Sequence, residues 1–154
     1  FGDYARDKDA CVASMMIAEA AAYYRSRDMT VYDALMSVFE RYGFSVEKTL
    51  NLVMPGLDGA EKMKKMMQGL RSEPPKDIGG VSVLSVKDYS QGLDGLPKAN
   101  VLSFALEEGS TLIVRPSGTE PKVKVYIMTS GKDEAEAKAK EERLETGFKE
   151  KHAN

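Results

Sequence analysis

The chain has 154 residues, of which 24 are acidic and 22 basic, and 42% of its residues are hydrophobic. This composition is typical of a globular protein and too apolar for a disordered one. The net charge of −2 gives no reason to expect a nucleic acid or a membrane surface as partner. The single cysteine, Cys11, excludes an internal disulfide framework and a multi-cysteine metal site. The length suits one complete domain plus part of another.

The first 43 residues predict two helices and no strand. Asp9 is a suitable N-cap for a helix over residues 10–27, and this helix is apolar nearly all round, so we expect it to be buried. Its apolar part is shorter than the ~20 residues that span a bilayer. Thr30 and Asp33 form a capping-box pair for a second helix that ends at Gly43. Because an apolar helix needs a surface to cover, we expect this segment to end a domain whose sheet lies upstream.

From Val46 the spacing of apolar residues changes to two, which predicts a strand that Lys48 interrupts. Asp58 and Glu61 are suitable caps for a third helix, which ends before Pro74. The apolar stripe of this helix consists of Met63, Met66, Met67 and Leu70. Such a stripe is more typical of core packing than of a cofactor site.

Four further strands and a last helix complete the pattern. The strands are predicted at residues 81–89, 101–106, 111–115 and 123–127, and Glu108-Gly109 marks a hairpin between the second and third. The last helix is predicted from Asp133 to about Lys151, and His152 is expected in a fraying tail without a role. The order indicates a complete small α+β domain over residues 44–154.

The most informative segment is Arg115-Pro116-Ser117-Gly118-Thr119-Glu120-Pro121-Lys122, which joins two predicted strands. Its residue types suit the capture of an anion. The planar guanidinium of Arg115 matches two phosphate oxygens. Gly118 allows a positive φ, so that successive N–H groups can turn toward one point. Ser117 and Thr119 add hydroxyl donors, and Lys122 adds a positive charge.

The same segment also fits a tight turn, because serine, glycine and threonine are common turn residues. In that interpretation Glu120 is the ion-pair partner of Arg115, and the arginine has only a structural role. Residue types alone leave both interpretations open.

These eight residues resemble the signature of the last domain of the α-D-phosphohexomutases. Arg6-Asp7-Lys8-Asp9 resembles the start of the last helix of the family's third domain, in a form similar to phosphoglucomutases and combined phosphoglucomutase/phosphomannomutases. Pro97-Lys98-Ala99-Asn100-Val101 resembles the lead into the signature. The resemblance implies that residues 1–43 end domain 3. It also implies that residues 44–154 form domain 4, a small, mostly antiparallel sheet with helices packed on one face.

The resemblance also implies an activity. Family members interconvert glucose 1-phosphate and glucose 6-phosphate through a bisphosphorylated intermediate, with a phosphoserine as donor and Mg²⁺ assisting. The residues implied to hold the phosphate that is not reacting are Arg115, Ser117, Gly118 and Thr119, with Lys122 a weaker candidate.

Lys8 and Arg6 are implied substrate contacts, and Lys8 is a candidate for proton transfer. The other interpretation of these two residues is a solvated lead-in to the helix, neutralised by Asp7 and Asp9.

The sequence contains no Ser-His-Asn segment for a phosphoserine and no Asp-x-Asp-x-Asp loop for Mg²⁺. We therefore expect a chain that is inactive alone. Domains 1–3 of a longer cytoplasmic enzyme would supply the catalytic serine and the Mg²⁺ site, and glucose 1,6-bisphosphate would be its cofactor and a hexose phosphate its substrate. The alternatives are a phosphomannomutase, a phosphoglucosamine mutase or a stand-alone phosphosugar-binding module. In this chain the uncovered first helix predicts dimerisation, swapping or disorder of the first 43 residues.

Overall fold

The computed structural model describes residues 8–152. The chain divides into two compact units, Phe1–Gly43 and Phe44–Asn154. The first unit contains the helices α1 (Ala10–Arg25) and α2 (Val31–Tyr42). The predicted caps are confirmed: Asp9 accepts a hydrogen bond from the Val12 N–H at 2.9 Å, and Thr30 and Asp33 form the capping box. Gly43 ends α2 with a φ of 94°.

The two helices of the first unit leave much apolar surface exposed. No residue of α1 is buried, and Met15 and Ile17 are 70% and 67% exposed. No described residue covers that apolar face, which agrees with the uncovered first helix expected of this chain, whereas burial of the helix against an upstream sheet stays a prediction. That this unit ends an upstream domain, and that its apolar face leads to dimerisation or swapping, both stay predictions.

The second unit contains one antiparallel sheet with the strand order β1-β6-β5-β4-β3-β2. The strands are β1 (Phe44–Val53), β2 (Asp77–Ile78), β3 (Val81–Asp88), β4 (Leu102–Leu106), β5 (Thr111–Pro116) and β6 (Lys122–Gly131). The helices are α3 (Gly59–Ser72) and α4 (Glu134–His152). The predicted α+β class is confirmed. The short β2 was not predicted, because two residues show no periodicity.

One hydrophobic core lies between α3, α4 and one face of the sheet. Alternate residues of β4, β5 and β6 are buried, as period-two patterns require. The core includes Leu102, Phe104 and Leu106 of β4, Val123, Val125 and Ile127 of β6, and Leu144 and Phe148 of α4. Met67 is buried in this core, and Met63 and Met66 pack against it, which confirms that the methionine stripe is core. Each large apolar side chain buried here contributes ~1.5–3 kcal/mol.

Lys48 interrupts the apolar face of β1 because it forms ion pairs with α4. Its Nζ lies 3.3 Å from Glu141 Oε1 and 2.5 Å from Glu145 Oε2. Glu141 is only 4% exposed, so this lysine supplies the nearest positive charge to a buried carboxylate. The 3.3 Å contact satisfies an ion pair but lacks hydrogen-bond geometry, which leaves Glu141 Oε1 without a hydrogen bond.

The structure corrects two predictions about helix ends, one for Asp58 and one for His152. Asp58 does not cap α3 through its side chain, because its backbone is not extended (φ −91°, ψ 1°), and its carboxylate pairs with Lys62 instead. His152 lies in the last turn of α4 rather than in a frayed tail, with its ring centroid 4.7 Å from that of Phe148. The side chain is half-buried, and this partial burial lowers the pKa of the imidazole. Within residues 8–152, no helix is long and apolar enough to cross a bilayer.

Candidate phosphate-binding site

The predicted phosphate loop is the turn between β5 and β6. The strand register places Arg115 directly opposite Lys124 and Pro116 opposite Val123. The Ser117 N–H donates to the Lys122 carbonyl at 2.8 Å and closes the turn. Since residues opposite each other in antiparallel strands share a face, two cationic side chains lie side by side here. Neither forms an ion pair with any described residue, so a bound anion would relieve their repulsion.

The hydroxyl of Ser117 organises the tip of the loop. Its Oγ accepts hydrogen bonds from the backbone N–H groups of Thr119 (3.4 Å) and Glu120 (3.3 Å). Two amide donors therefore converge on one oxygen, and both bonds are long, so an anion could compete for these donors.

Gly118 does not adopt the positive φ that its sequence context suggested. The predicted left-handed nest is therefore not formed, because the following amides turn toward Ser117 Oγ instead. A Cβ placed on Gly118 would meet no atom within 4 Å, so the space beside this residue is open.

The ion pair in this loop joins Glu120 to Lys122, not to Arg115. Lys122 Nζ lies 2.5 Å from Glu120 Oε2, and the hydrogen bond from Lys122 lowers the pKa of the Glu120 carboxyl. The interpretation in which Glu120 is the ion-pair partner of Arg115 is therefore wrong. Arg115 is exposed, whereas Lys122 is already engaged within the loop.

The loop is anchored to the end of β1 and the start of α3. The Met54 N–H donates to the Pro121 carbonyl at 2.8 Å. A Cβ on Gly59 would lie 2.0 Å from the Met54 carbonyl oxygen and 3.1 Å from Pro121 Cβ, so only glycine fits at this contact. This close approach fixes the position of α3 relative to the loop.

Between α3 and the loop lies an open cleft of about 1150 Å³. Of the predicted site residues, Ser117 and Gly118 line it, whereas Arg115, Thr119 and Lys122 do not. The side of the cleft that α3 supplies consists of Ala60, Met63, Lys64, Met67, Gln68 and Arg71. The remaining wall comes from Ser90 and residues 98–100.

The sequence patterns did not predict that α3 and residues 90–100 line a cleft beside the loop. The α3 residues recur at a spacing of three and four, so they mark one helical face, and the cations on that face were the available signal. The stretch containing Lys98 and Asn100 was noted only for its resemblance to the lead into the signature.

The other predicted contacts belong to the first unit. Lys8 is exposed and directly precedes Asp9, the N-cap of α1. Arg6 lies outside the described residues. In residues 8–152, no three histidine, cysteine or carboxylate side chains group as a metal site would require.

Residues 56–145 match the model of the phosphoglucomutase/phosphomannomutase C-terminal domain, and the loop 115–122 lies inside that range. The chain belongs to this domain family. Among its relatives, a phosphoglucomutase of Staphylococcus haemolyticus is 32% identical over 136 residues, which are 81% of this chain and 25% of that protein. A phosphoglucomutase of Staphylococcus aureus (strain bovine RF122 / ET3-1) is 33% identical over 135 residues, 80% of this chain and 24% of that protein.

The chain thus contains a phosphoglucomutase/phosphomannomutase C-terminal domain and a separate helical unit, and it spans about a quarter of the length of these relatives. The open form of pp63/parafusin, a phosphoglucomutase from Paramecium, matches 95% of this chain and 27% of its own with a TM-score of 0.59. At 19% identity this likeness shows the fold alone.

Proposed function

We propose that this chain provides the phosphate-gripping domain of a phosphoglucomutase that interconverts glucose 1-phosphate and glucose 6-phosphate through a bisphosphate intermediate. The observation that carries the proposal is the pairing of Arg115 and Lys124 across β5 and β6, without a carboxylate partner in the described residues, at the base of the turn whose amide donors Ser117 holds. A phosphate dianion is the ligand that such an arrangement favours.

The role of the loop is to bind the phosphate that is not reacting. Arg115 would hold two of its oxygens, and the hydroxyls of Ser117 and Thr119 would donate to the third. Binding at this distance from the reacting group orients the sugar and provides free energy that can accelerate the reaction. Such a loop on a terminal domain also suits closure over a substrate that other domains hold.

The transfer step itself depends on groups outside this chain. Phosphoryl transfer requires positioning and neutralisation of charge by a metal ion. The described residues do not fit Mg²⁺, because they bring no group of three suitable ligands together. Because the sequence has no Ser-His-Asn segment and no Asp-x-Asp-x-Asp loop, the proposal assigns the phosphoserine and Mg²⁺ to domains 1–3 of a longer cytoplasmic enzyme with glucose 1,6-bisphosphate as its cofactor. Lys8 and Arg6 are proposed as substrate contacts in that assembly, with Lys8 able to move a proton.

Two other functions are compatible with the domain family. A phosphomannomutase or a phosphoglucosamine mutase would use the same phosphate grip, because the proposal places the phosphate, and not the sugar, against the loop. A stand-alone phosphosugar-binding module would use the grip without catalysis.

A coupled assay separates these functions. A longer protein carrying this chain is expected to convert glucose 1-phosphate faster than mannose 1-phosphate or glucosamine 1-phosphate, and the 154-residue chain is expected to convert none. Faster turnover of either competing sugar would replace the proposed substrate. A natural protein of this length that binds glucose 1,6-bisphosphate without turnover would support the binding module.

A further inference from the structure

The cleft beside the phosphate loop has an unusual charge for this protein. The charged side chains that line it are Lys64, Arg71 and Lys98, all of them cations, although the chain as a whole has a net charge of −2. Cationic side chains clustered around one cleft stabilise an anion there, even when the protein as a whole is acidic. The lining also includes Ser117 and Gly118, so this cleft continues from the loop.

Arg71 holds the far wall of the cleft in place. Its Nε donates to Asp88 Oδ2 at 2.9 Å, and its Nη2 donates to Asn100 Oδ1. The other oxygen of Asp88 accepts from the Ser90 N–H at 2.9 Å. Since its charge is neutralised by Asp88, Arg71 acts as a positioning residue for the segment that carries Lys98.

Lys64 and Lys98 differ from the neighbouring lysines of this unit. On α3, Lys62 pairs with Asp58 at 2.9 Å and Lys65 pairs with Glu61 at 2.7 Å. Neither Lys64 nor Lys98 has a carboxylate within ion-pair distance in the part of the chain that the structure describes. Lys64 and Lys98, which line the cleft, therefore carry charges that no described carboxylate neutralises, and both charges are available to a ligand.

We propose that Lys64 and Lys98 form a second cationic wall for the hexose phosphate whose distal phosphate the Ser117 loop holds. The inference rests on the proposed function and extends it to residues outside the signature. The cleft has a volume of about 1150 Å³, which leaves room for such a ligand between these two lysines and the Ser117 loop, since small-molecule sites enclose roughly 300–1,000 Å³. Both lysines are exposed, so they can reach the ligand without a loss of core packing.

The test compares variants of the full chain in a titration with glucose 1,6-bisphosphate, followed by ¹H–¹⁵N spectra. Lys64→Gln and Lys98→Gln are each expected to raise Kd about threefold, as for the loss of one exposed charge contact. The double variant is expected to raise Kd about tenfold, because separate sites add. Lys65→Gln is the control, since it removes the same charge from the next residue of α3, outside the cleft. It is expected to leave Kd unchanged.

The outcomes separate this inference from the proposed function. A double variant with the wild-type Kd overturns the second wall alone, provided that ligand still shifts the resonances of residues 115–122. An equal loss of affinity in Lys65→Gln also overturns it, because the effect would then be a general one of net charge. Absence of any loop shift in the wild-type chain overturns the proposed function and the second wall together.

Discussion

Gly118 shows how one residue can fit a binding motif without adopting the conformation that the motif suggests. Its φ is not positive, and apart from its own chain neighbours no residue has an atom within 4 Å of where a Cβ would be. Gly109, in the β4–β5 hairpin, has a φ of 71° and an ordinary contact of 3.6 Å to Ser130 Oγ. The two glycines therefore differ in backbone conformation and not in crowding.

The difference predicts opposite tolerance to alanine. Gly118→Ala is expected to change the free energy of unfolding by less than about 0.5 kcal/mol. Gly109→Ala is expected to cost about 1–2 kcal/mol, because alanine is strained in the left-handed region. Urea unfolding measures both. Equal losses for the two variants would mean that Gly118 is left-handed in solution.

Ser117 and Arg115 illustrate what residue types indicate in advance. The planar cation and the hydroxyl were recognisable as phosphate ligands from the sequence. Their partners were not, because Glu120 is close enough in sequence to pair with either Arg115 or Lys122. Only the geometry of the turn shows that it pairs with Lys122.

At the scale of elements, α4 packs unusually close to the turn between β2 and β3. A Cβ on Gly147 would lie 2.2 Å from Gly79 Cα, and a Cβ on Gly79 would lie 2.4 Å from the Arg143 carbonyl oxygen. Two backbones are in contact here, which requires glycine on both sides. A glycine inside a helix gives no local sign of such a contact.

This contact predicts a contrast between two helical glycines. Gly147→Ala is expected to destabilise the protein by about 1–3 kcal/mol, because α4 must move away from the turn. Gly69→Ala, at an open position of α3, is expected to stabilise it by about 0.5–1 kcal/mol through helix propensity. Urea unfolding of the two variants is the measurement. A Gly147→Ala chain as stable as the wild type would contradict the close packing of α4.

Across the whole molecule, local patterns were predictable and long-range ones were not. The capping box joins Thr30 and Asp33, which are three residues apart in the sequence. The alternation of buried and exposed side chains in β4 and β6 likewise involves residues that are adjacent in the sequence. Each was visible in the sequence.

The cleft depends on segments around residues 60–71, 90–100 and 116–118, so its cationic wall needed the fold. The burial expected of α1 depends on a covering surface that the described residues do not provide. The apolar composition of α1 indicates that the helix requires a covering surface, but it does not show which part of a protein provides that surface.

A ¹H–¹⁵N titration of the chain with glucose 1,6-bisphosphate, run beside Arg115→Ala, shows directly whether the loop binds phosphate. Saturable shifts at residues 115–122 are expected with a Kd on the order of millimolar, since one domain supplies only part of the binding free energy. Arg115→Ala is expected to abolish them while the rest of the spectrum stays folded, because Arg115 is exposed and forms no ion pair with any described residue.

Arg25→Ala serves as the control, because it removes an exposed arginine from α1, in the other unit. It is expected to bind like the wild type. If a folded Arg115→Ala binds as tightly as this control, Arg115 is not a phosphate ligand and the proposed grip is contradicted. If Arg115→Ala unfolds the domain instead, Arg115 is a structural residue of a turn.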